Sequence, residues 1–153
     1  MKTTLREYRS ADAQETAALF YETIRSVNLG DYDQAQVDAW APRNRDLNEW
    51  DRSFKGKRAL VATEGERIVG FGDVDVSGYL DRLYVRGDRL RRGIATTLCD
   101  ALESVVESAK ITTHASITAK PFFEGRGYRV VKRQEVERKG IRLVNFVMEK
   151  TLR

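Results

Sequence analysis

Apolar residues recur along this chain with two different periods, and the switches between them predict the order of elements. Residues 3–8, TTLREY, alternate as a strand does. Ser10 and Asp12 can then cap a helix through AQETAALFYETIRSVN, whose Ala17, Phe20, Ile24 and Val27 fall on one helical face. YDQAQVDAWAP reads as a second, short helix ended by Ala41-Pro42. The following RNRDLNEWDRSFKG is polar and irregular, with Trp40, Trp50 and Phe54 as anchors that either line a substrate groove or pack beneath loops.

From residue 58 the period shortens to two. RALVATE, RIVGFGDVDV and YLDRLYV are strands separated by turns at Glu64-Gly65-Glu66 and Ser77-Gly78, an antiparallel meander. GIATTLCDALESVVESA returns to the helical period for about four turns, with Ile94, Leu98, Ala101, Leu102, Val105 and Val106 on its apolar face. The strand ITTHASIT follows, and AKPFFEGRG is a short helix with proline in its first turn and glycines at its end. YRVVKRQEVE and IRLVNFVMEK are two strands joined across Arg138-Lys139-Gly140. The predicted order is β-α-α-β-β-β-α-β-α-β-β.

At 153 residues the chain has the size of one domain, able to bury about two thirds of its unfolded surface. No repeat, low-complexity tract or linker divides it, so residues 1–153 are expected to form a single domain. No apolar run approaches the roughly 18 residues of a membrane span, and MKTTLREYRS lacks the apolar stretch of a secretion signal. The expectation is a cytoplasmic protein with no membrane partner. The net charge of +4 is mild and its cations are not interleaved with aromatics, which argues against a nucleic-acid partner. The lone Cys99 sits at a core-like helical position and reads as a structural thiol. His114 reads as a packed or solvated strand residue. No His/Cys/Asp/Glu cluster has ligand spacing and no Ser-His-Asp arrangement is visible, so neither a metal nor a covalent enzyme intermediate is expected.

One stretch conflicts with its own helix. RLRRGIATTL crowds Arg91 and Arg92 onto the start of a helix, where the backbone dipole is already positive. An anion from outside resolves the conflict, because successive N–H groups opened by a glycine form a ready phosphate site. The spacing is not that of a dinucleotide-binding βαβ unit, since the G-x-G-x-x-G spacing is absent and the preceding strands are hairpin-linked.

The element order, with Arg-Arg-Gly-Ile-Ala after a strand ending in Leu83-Tyr84-Val85, resembles the GNAT superfamily of acyl-CoA-dependent N-acetyltransferases over nearly the whole chain. Arg91, Arg92, Gly93, Ile94 and Ala95 fill the last five positions of that family's Gln/Arg-x-x-Gly-x-Gly/Ala signature, while Leu90 departs from it at the first. GYLDRLYV and ITAKPFFE further resemble a small bacterial branch called YafP-like. The resemblance implies an α/β (α+β) fold with a mixed, mostly antiparallel sheet of about seven strands and about four flanking helices. It implies acetyl-CoA as cosubstrate, held by Leu83, Tyr84 and Val85 on the strand and by Arg91, Arg92, Gly93, Ile94, Ala95 and Thr96 at the helix start. Ser116, Phe122 and Phe123 complete the expected cofactor set. Ser116 stands where many members carry an asparagine, and Phe123 replaces the tyrosine that protonates the leaving thiolate. Tyr128 and Tyr84 are substitute donors to weigh against structural roles.

The reaction implied is transfer of acetyl from acetyl-CoA to a primary amine, by direct attack in a ternary complex. Such an amine must lose a proton, and Asp81 is the candidate base, directly or through water. By strand parity Tyr79, Asp81, Leu83 and Val85 share a face, with Asp73 and Asp75 together on the neighbouring strand. Tyr79, Asp73 and Asp75 are therefore expected to draw in a cationic acceptor, a small molecule or peptide, and a homodimer is left open. The missing tyrosine supports one alternative, a sensor or interaction module that binds acetyl-CoA without turnover.

Overall fold

The computed structural model describes residues 2–153. Strands β1 (Thr3–Glu7), β2 (Arg58–Glu64), β3 (Arg67–Val74), β4 (Tyr79–Val85), β5 (Lys110–Ser116), β6 (Arg129–Arg138) and β7 (Ile141–Thr151) form one sheet. Their spatial order is β1-β2-β3-β4-β5-β7-β6. Every neighbouring pair is antiparallel except β4 and β5.

Helices cover both faces. On one side lie α1 (Ala13–Ser26), α2 (Gln34–Trp40) and α3 (Leu47–Arg52), whose Leu19, Phe20, Ile24, Val37 and Trp50 pack on Val61, Ile68, Phe71 and Leu143. On the other lie α4 (Ile94–Ser104) and α5 (Lys120–Gly125), where Leu102 and Phe123 meet Leu80, Ile111 and Met148. Covered on both faces, β3 is buried from Ile68 to Val74, and its residues there are apolar or glycine except Asp73. Its Gly70 and Gly72 set the depth of α4. A Cβ on Gly72 would stand 2.8 Å from the Arg82 carbonyl oxygen and 3.0 Å from Leu102, and one on Gly70 would stand 3.1 Å from Ile94.

Three local readings of the sequence are corrected here. The stretch after Pro42 is not wholly irregular, because Asp46 caps α3 by accepting from the Asn48 N–H at 2.9 Å. Trp50 anchors α3, a helix additional to the four expected, its indole N–H donating to Thr16 Oγ1 at 2.9 Å, and six residues are too few to display a period. Ser10 and Asp12 form a short 3-10 turn rather than a side-chain cap for α1. The Asp12 carboxylate instead accepts from Arg9 N–H at 2.8 Å and from the Arg6 guanidinium at 2.8 and 2.9 Å. The long helix also stops at Ser104, short of Val105 and Val106, where the backbone bonds tighten to Leu102 and Glu103.

Candidate active site

The sheet opens where its single parallel pair lies. β4 and β5 are in register only at Tyr79 with Thr112 and Leu80 with Thr113, after which they part. A cavity lies on each side of the gap, and both are lined by Tyr84 and Ser116.

The first cavity, about 410 Å³, runs from the parted strands to the start of α4. Leu83, Tyr84 and Val85 form one wall, and Arg91, Gly93, Ile94, Ala95 and Thr96 another. Ser116, Phe122 and Phe123 close it. Arg92 is the one member of the expected cofactor set outside the lining, although it is exposed beside the same turn. Gly93 is the N-cap of α4 at φ 79°, and Arg91 adopts φ 63°. No side chain caps the helix, so its first N–H groups face the cavity mouth unclaimed. Among the described residues Arg91 and Arg92 form no ion pair, whereas Arg89 next to them is held by Glu64 at 3.0 Å.

The second cavity, about 350 Å³, lies between the parted strands, α1 and α3, and its walls include Phe20, Tyr32, Trp40 and Trp50. Tyr79, Asp81 and His114 line its polar side. Strand parity fails here. Asp73 sits opposite Arg82 and Val74 opposite Leu80, so Asp81 is an extra residue without a partner, a β-bulge. The bulge turns Arg82 and Tyr84 toward the same cavity as Tyr79 and Asp81, and it leaves Leu83 and Val85 on the α4 side. Asp81 pairs with Lys57 Nζ at 2.9 Å and keeps 38% of its side chain exposed.

The acidic patch expected from Asp73, Asp75 and Asp81 does not form. Asp73 is 0% exposed, with both oxygens engaged by Arg82 and with Lys57 Nζ at 3.7 Å. Asp75 lies beyond the end of β3 and closes the turn, accepting from Ser77 N–H at 2.9 Å and Tyr79 N–H at 3.0 Å. Neither lines the cavity. Asp81 alone of the three does.

His114 stands on the cavity wall, its ring 5.1 Å from that of Tyr79. Burial holds it below its ordinary value against the pull of Asp81, so it is neutral at pH 7. Burial also pushes Tyr79 up to about 12 and raises Tyr84, so both keep their protons. Tyr128 is no donor to the cavity, since it is 3% exposed and its hydroxyl donates to Glu103 at 2.8 Å. Phe123 is likewise buried, edge-on to Tyr128 at 4.9 Å. Cys99 is fully buried and pushed up to about 12 by desolvation, which keeps it an inert thiol. Among the described residues no cluster of three His, Cys, Asp or Glu could hold a metal ion.

Sequence reasoning missed three residues of this site. The Tyr32 hydroxyl accepts from Ile117 N–H at 2.9 Å and donates to the Val144 carbonyl at 2.7 Å, tying the end of β5 to β7. Arg45 lines the second cavity, and Lys57 reaches its Asp81 from outside the lining. Tyr32 and Lys57 carry no local signal because their partners lie far along the chain, and Arg45 carries none because no carboxylate among the described residues pairs with it.

A sheet parted at one parallel pair, with an uncapped helix start on one side and an aromatic-walled cavity on the other, is the architecture of the acyl-CoA-dependent N-acetyltransferases. Residues 28–151 match the acetyltransferase (GNAT) domain family. The chain is 34% identical over 144 residues to the N-acetyltransferase YafP of Escherichia coli (strain K12), covering 94% of this chain and 93% of that protein. A GCN5-related N-acetyltransferase from Rhodopseudomonas palustris superposes with a TM-score of 0.95 at 35% identity, over 99% of this chain and 97% of that one. The PaiA N-acetyltransferase of Thermoplasma acidophilum, solved with coenzyme A, has the same fold, with a TM-score of 0.76 at 18% identity over 99% of this chain and 100% of its own. The chain belongs to the GNAT acetyltransferase family.

Proposed function

We propose that the protein transfers acetyl from acetyl-CoA to the primary amine of a small molecule or peptide, by direct attack while both are bound. The observation that carries this reading is the junction of the two cavities at Tyr84 and Ser116. A thioester entering past α4 and an amine entering past Asp81 would meet there. The unclaimed N–H groups of α4, with Arg91 and Arg92, would hold the diphosphate of the cofactor, and their crowding of positive charge is relieved by that anion. The amine nitrogen attacks the carbonyl carbon, Asp81 takes the amine proton directly or through water, and the C–S bond breaks to release CoA thiolate. A thiol with a pKa near 8.5 leaves tolerably well unaided. Tyr84, protonated at the cavity junction, is placed to return a proton to sulfur.

Initial velocities with varied acetyl-CoA and a working amine should give intersecting double-reciprocal lines. Parallel lines would replace direct attack by a covalent enzyme intermediate. Phe123 favours a second reading, an acetyl-CoA sensor, which predicts cofactor binding with no CoA release for any amine.

The cofactor turn makes a sharper prediction. A side chain at position 93 meets nothing within 4 Å, so Gly93→Val should fold, at a cost of about 1 to 2 kcal/mol for its left-handed backbone. The new branches occupy the approach to the α4 N–H groups, and acetyl-CoA affinity should fall by at least about tenfold, 1.4 kcal/mol. Calorimetric titration measures it. Unchanged affinity in a folded variant places the cofactor elsewhere.

A second prediction separates the tyrosines. Phe123→Tyr should raise kcat by less than about tenfold, whereas Tyr84→Phe should lower it by about that much, 1.4 kcal/mol of barrier. A larger gain from Phe123→Tyr would show that the native protein lacks its proton donor and would favour the sensor.

A further inference from the structure

The acceptor cavity holds one half-buried guanidinium, that of Arg45, which the protein leaves without a partner. Arg45, between α2 and α3, is half-buried on the cavity wall, with its Cζ 5.0 Å from the Phe20 ring centroid and 4.9 Å from that of Trp50. Among the described residues no carboxylate lies within 4 Å of it, and none of its five N–H donors has an acceptor. The other buried or bridging charges of the cavity are matched: Arg82 by Asp73, Asp81 by Lys57, and Asp46 by the amides of α3. Glu49 lines the cavity beyond ion-pair distance from Arg45 and favours its charge through space, and Arg138 is a second, exposed cation on the same cavity. Desolvation and the neighbouring Arg82 both weigh against the Arg45 charge. A cation held in aromatic stacking beside a like charge, with its donors free, is arranged for an anion that comes with the ligand.

We propose that Arg45 binds a carboxylate on the acceptor, so that the amine acetylated is that of an amino acid. The assignment rests on the acetyltransferase reading above and names its substrate class. Phe20, against which Arg45 stacks, stands edge-on to Tyr84 at 4.9 Å. Phe20 thus lies between the anion site and the junction where the amine must meet the thioester, which puts both within reach of one small molecule that carries a carboxylate and an amine. A polyamine would instead bring a second cation beside Arg45 and Arg82. The aromatic walls and a volume of about 350 Å³ leave room for an apolar side chain.

The test uses matched pairs that differ only in the carboxylate: L-phenylalanine with phenethylamine, L-methionine with 3-(methylthio)propylamine, and L-leucine with isopentylamine. CoA release gives kcat/KM for each. Calorimetric titration of N-acetyl-L-phenylalanine and N-acetylphenethylamine, with and without CoA, gives an answer independent of turnover. In at least one pair the carboxylate member should be preferred by about 10- to 100-fold, the range of a charge-assisted hydrogen bond. Arg45→Gln should abolish that preference and Arg45→Lys should retain part of it, with acetyl-CoA affinity and melting temperature confirming that both fold. Equal or reversed preference in every pair overturns the assignment, as does an Arg45→Gln protein that keeps the preference. Failure to bind acetyl-CoA would overturn the acetyltransferase reading instead, and the titrations without CoA would still report on Arg45.

Discussion

An Asp73→Ala protein should unfold about 3 to 5 kcal/mol more easily than wild type, the cost of removing one partner from a buried ion pair. The Asp73 carboxylate is 0% exposed and serves two residues at once, Arg82 and Lys57. It accepts from the Arg82 side chain through both oxygens, from the Arg82 backbone N–H at 3.0 Å, and it lies 3.7 Å from Lys57 Nζ. The backbone bond exists because the Asp81 bulge interrupts the ladder between β3 and β4, and the carboxylate takes a donor that the ladder leaves. Without it, a guanidinium with 9% of its side chain exposed keeps only Ser53 as a hydrogen-bond partner, between the rings of Trp50 and Phe54. Urea denaturation followed by tryptophan fluorescence measures the loss. The double variant Asp73→Ala/Arg82→Met should recover part of it, since the charge left unpaired is then gone. A loss below about 1 kcal/mol in the single variant would mean that water reaches the pair and that the bulge is held by packing alone.

The residues that were readable from sequence and those that were not differ in the range of their interactions. Strands of the meander, the α4 turn and the α5 proline announce themselves through neighbours a few positions away. Local pattern located these elements, and the family resemblance assigned Gly93, Ile94, Ala95, Phe122 and Phe123 to the cofactor; the five line one cavity. The acceptor side is assembled from distant segments. Asp73 reads as part of an acidic patch for the acceptor because nothing local shows that Arg82, across a hairpin, claims it, and Lys57, which joins Asp73 to Asp81, comes from the turn before β2. The bulge defeated the two-residue period outright, since one extra residue moves every later side chain to the other face. Asp81 and Tyr79 still share a cavity, but with Arg82 and Tyr84 rather than with Leu83 and Val85.

Asp81→Asn should lower kcat by roughly 10² to 10⁴, the usual share of general base catalysis, and leave acetyl-CoA affinity and the fold intact. The bulge supports this role where parity does not, because it lifts Asp81 out of the ladder and into the acceptor cavity beside Tyr79, with 38% of its side chain open to ligand. Lys57 then has a use, for it neutralises a carboxylate that would otherwise hold an ammonium acceptor in its protonated, unreactive form. In Asp81→Asn the lysine keeps Asp73 as its partner, so no charge is stranded and the loss of turnover reports chemistry rather than unfolding. His114, neutral at pH 7 on the same wall, is the competing base. The two are separated by pH profiles of kcat/KM for wild type, Asp81→Asn and His114→Gln with one working amine. If Asp81 is the base, Asp81→Asn loses turnover across the whole range while His114→Gln stays within about tenfold of wild type. An acid limb below pH 6.5 that survives in Asp81→Asn and disappears in His114→Gln would transfer the role to the histidine, whose burial lowers its titration in that direction.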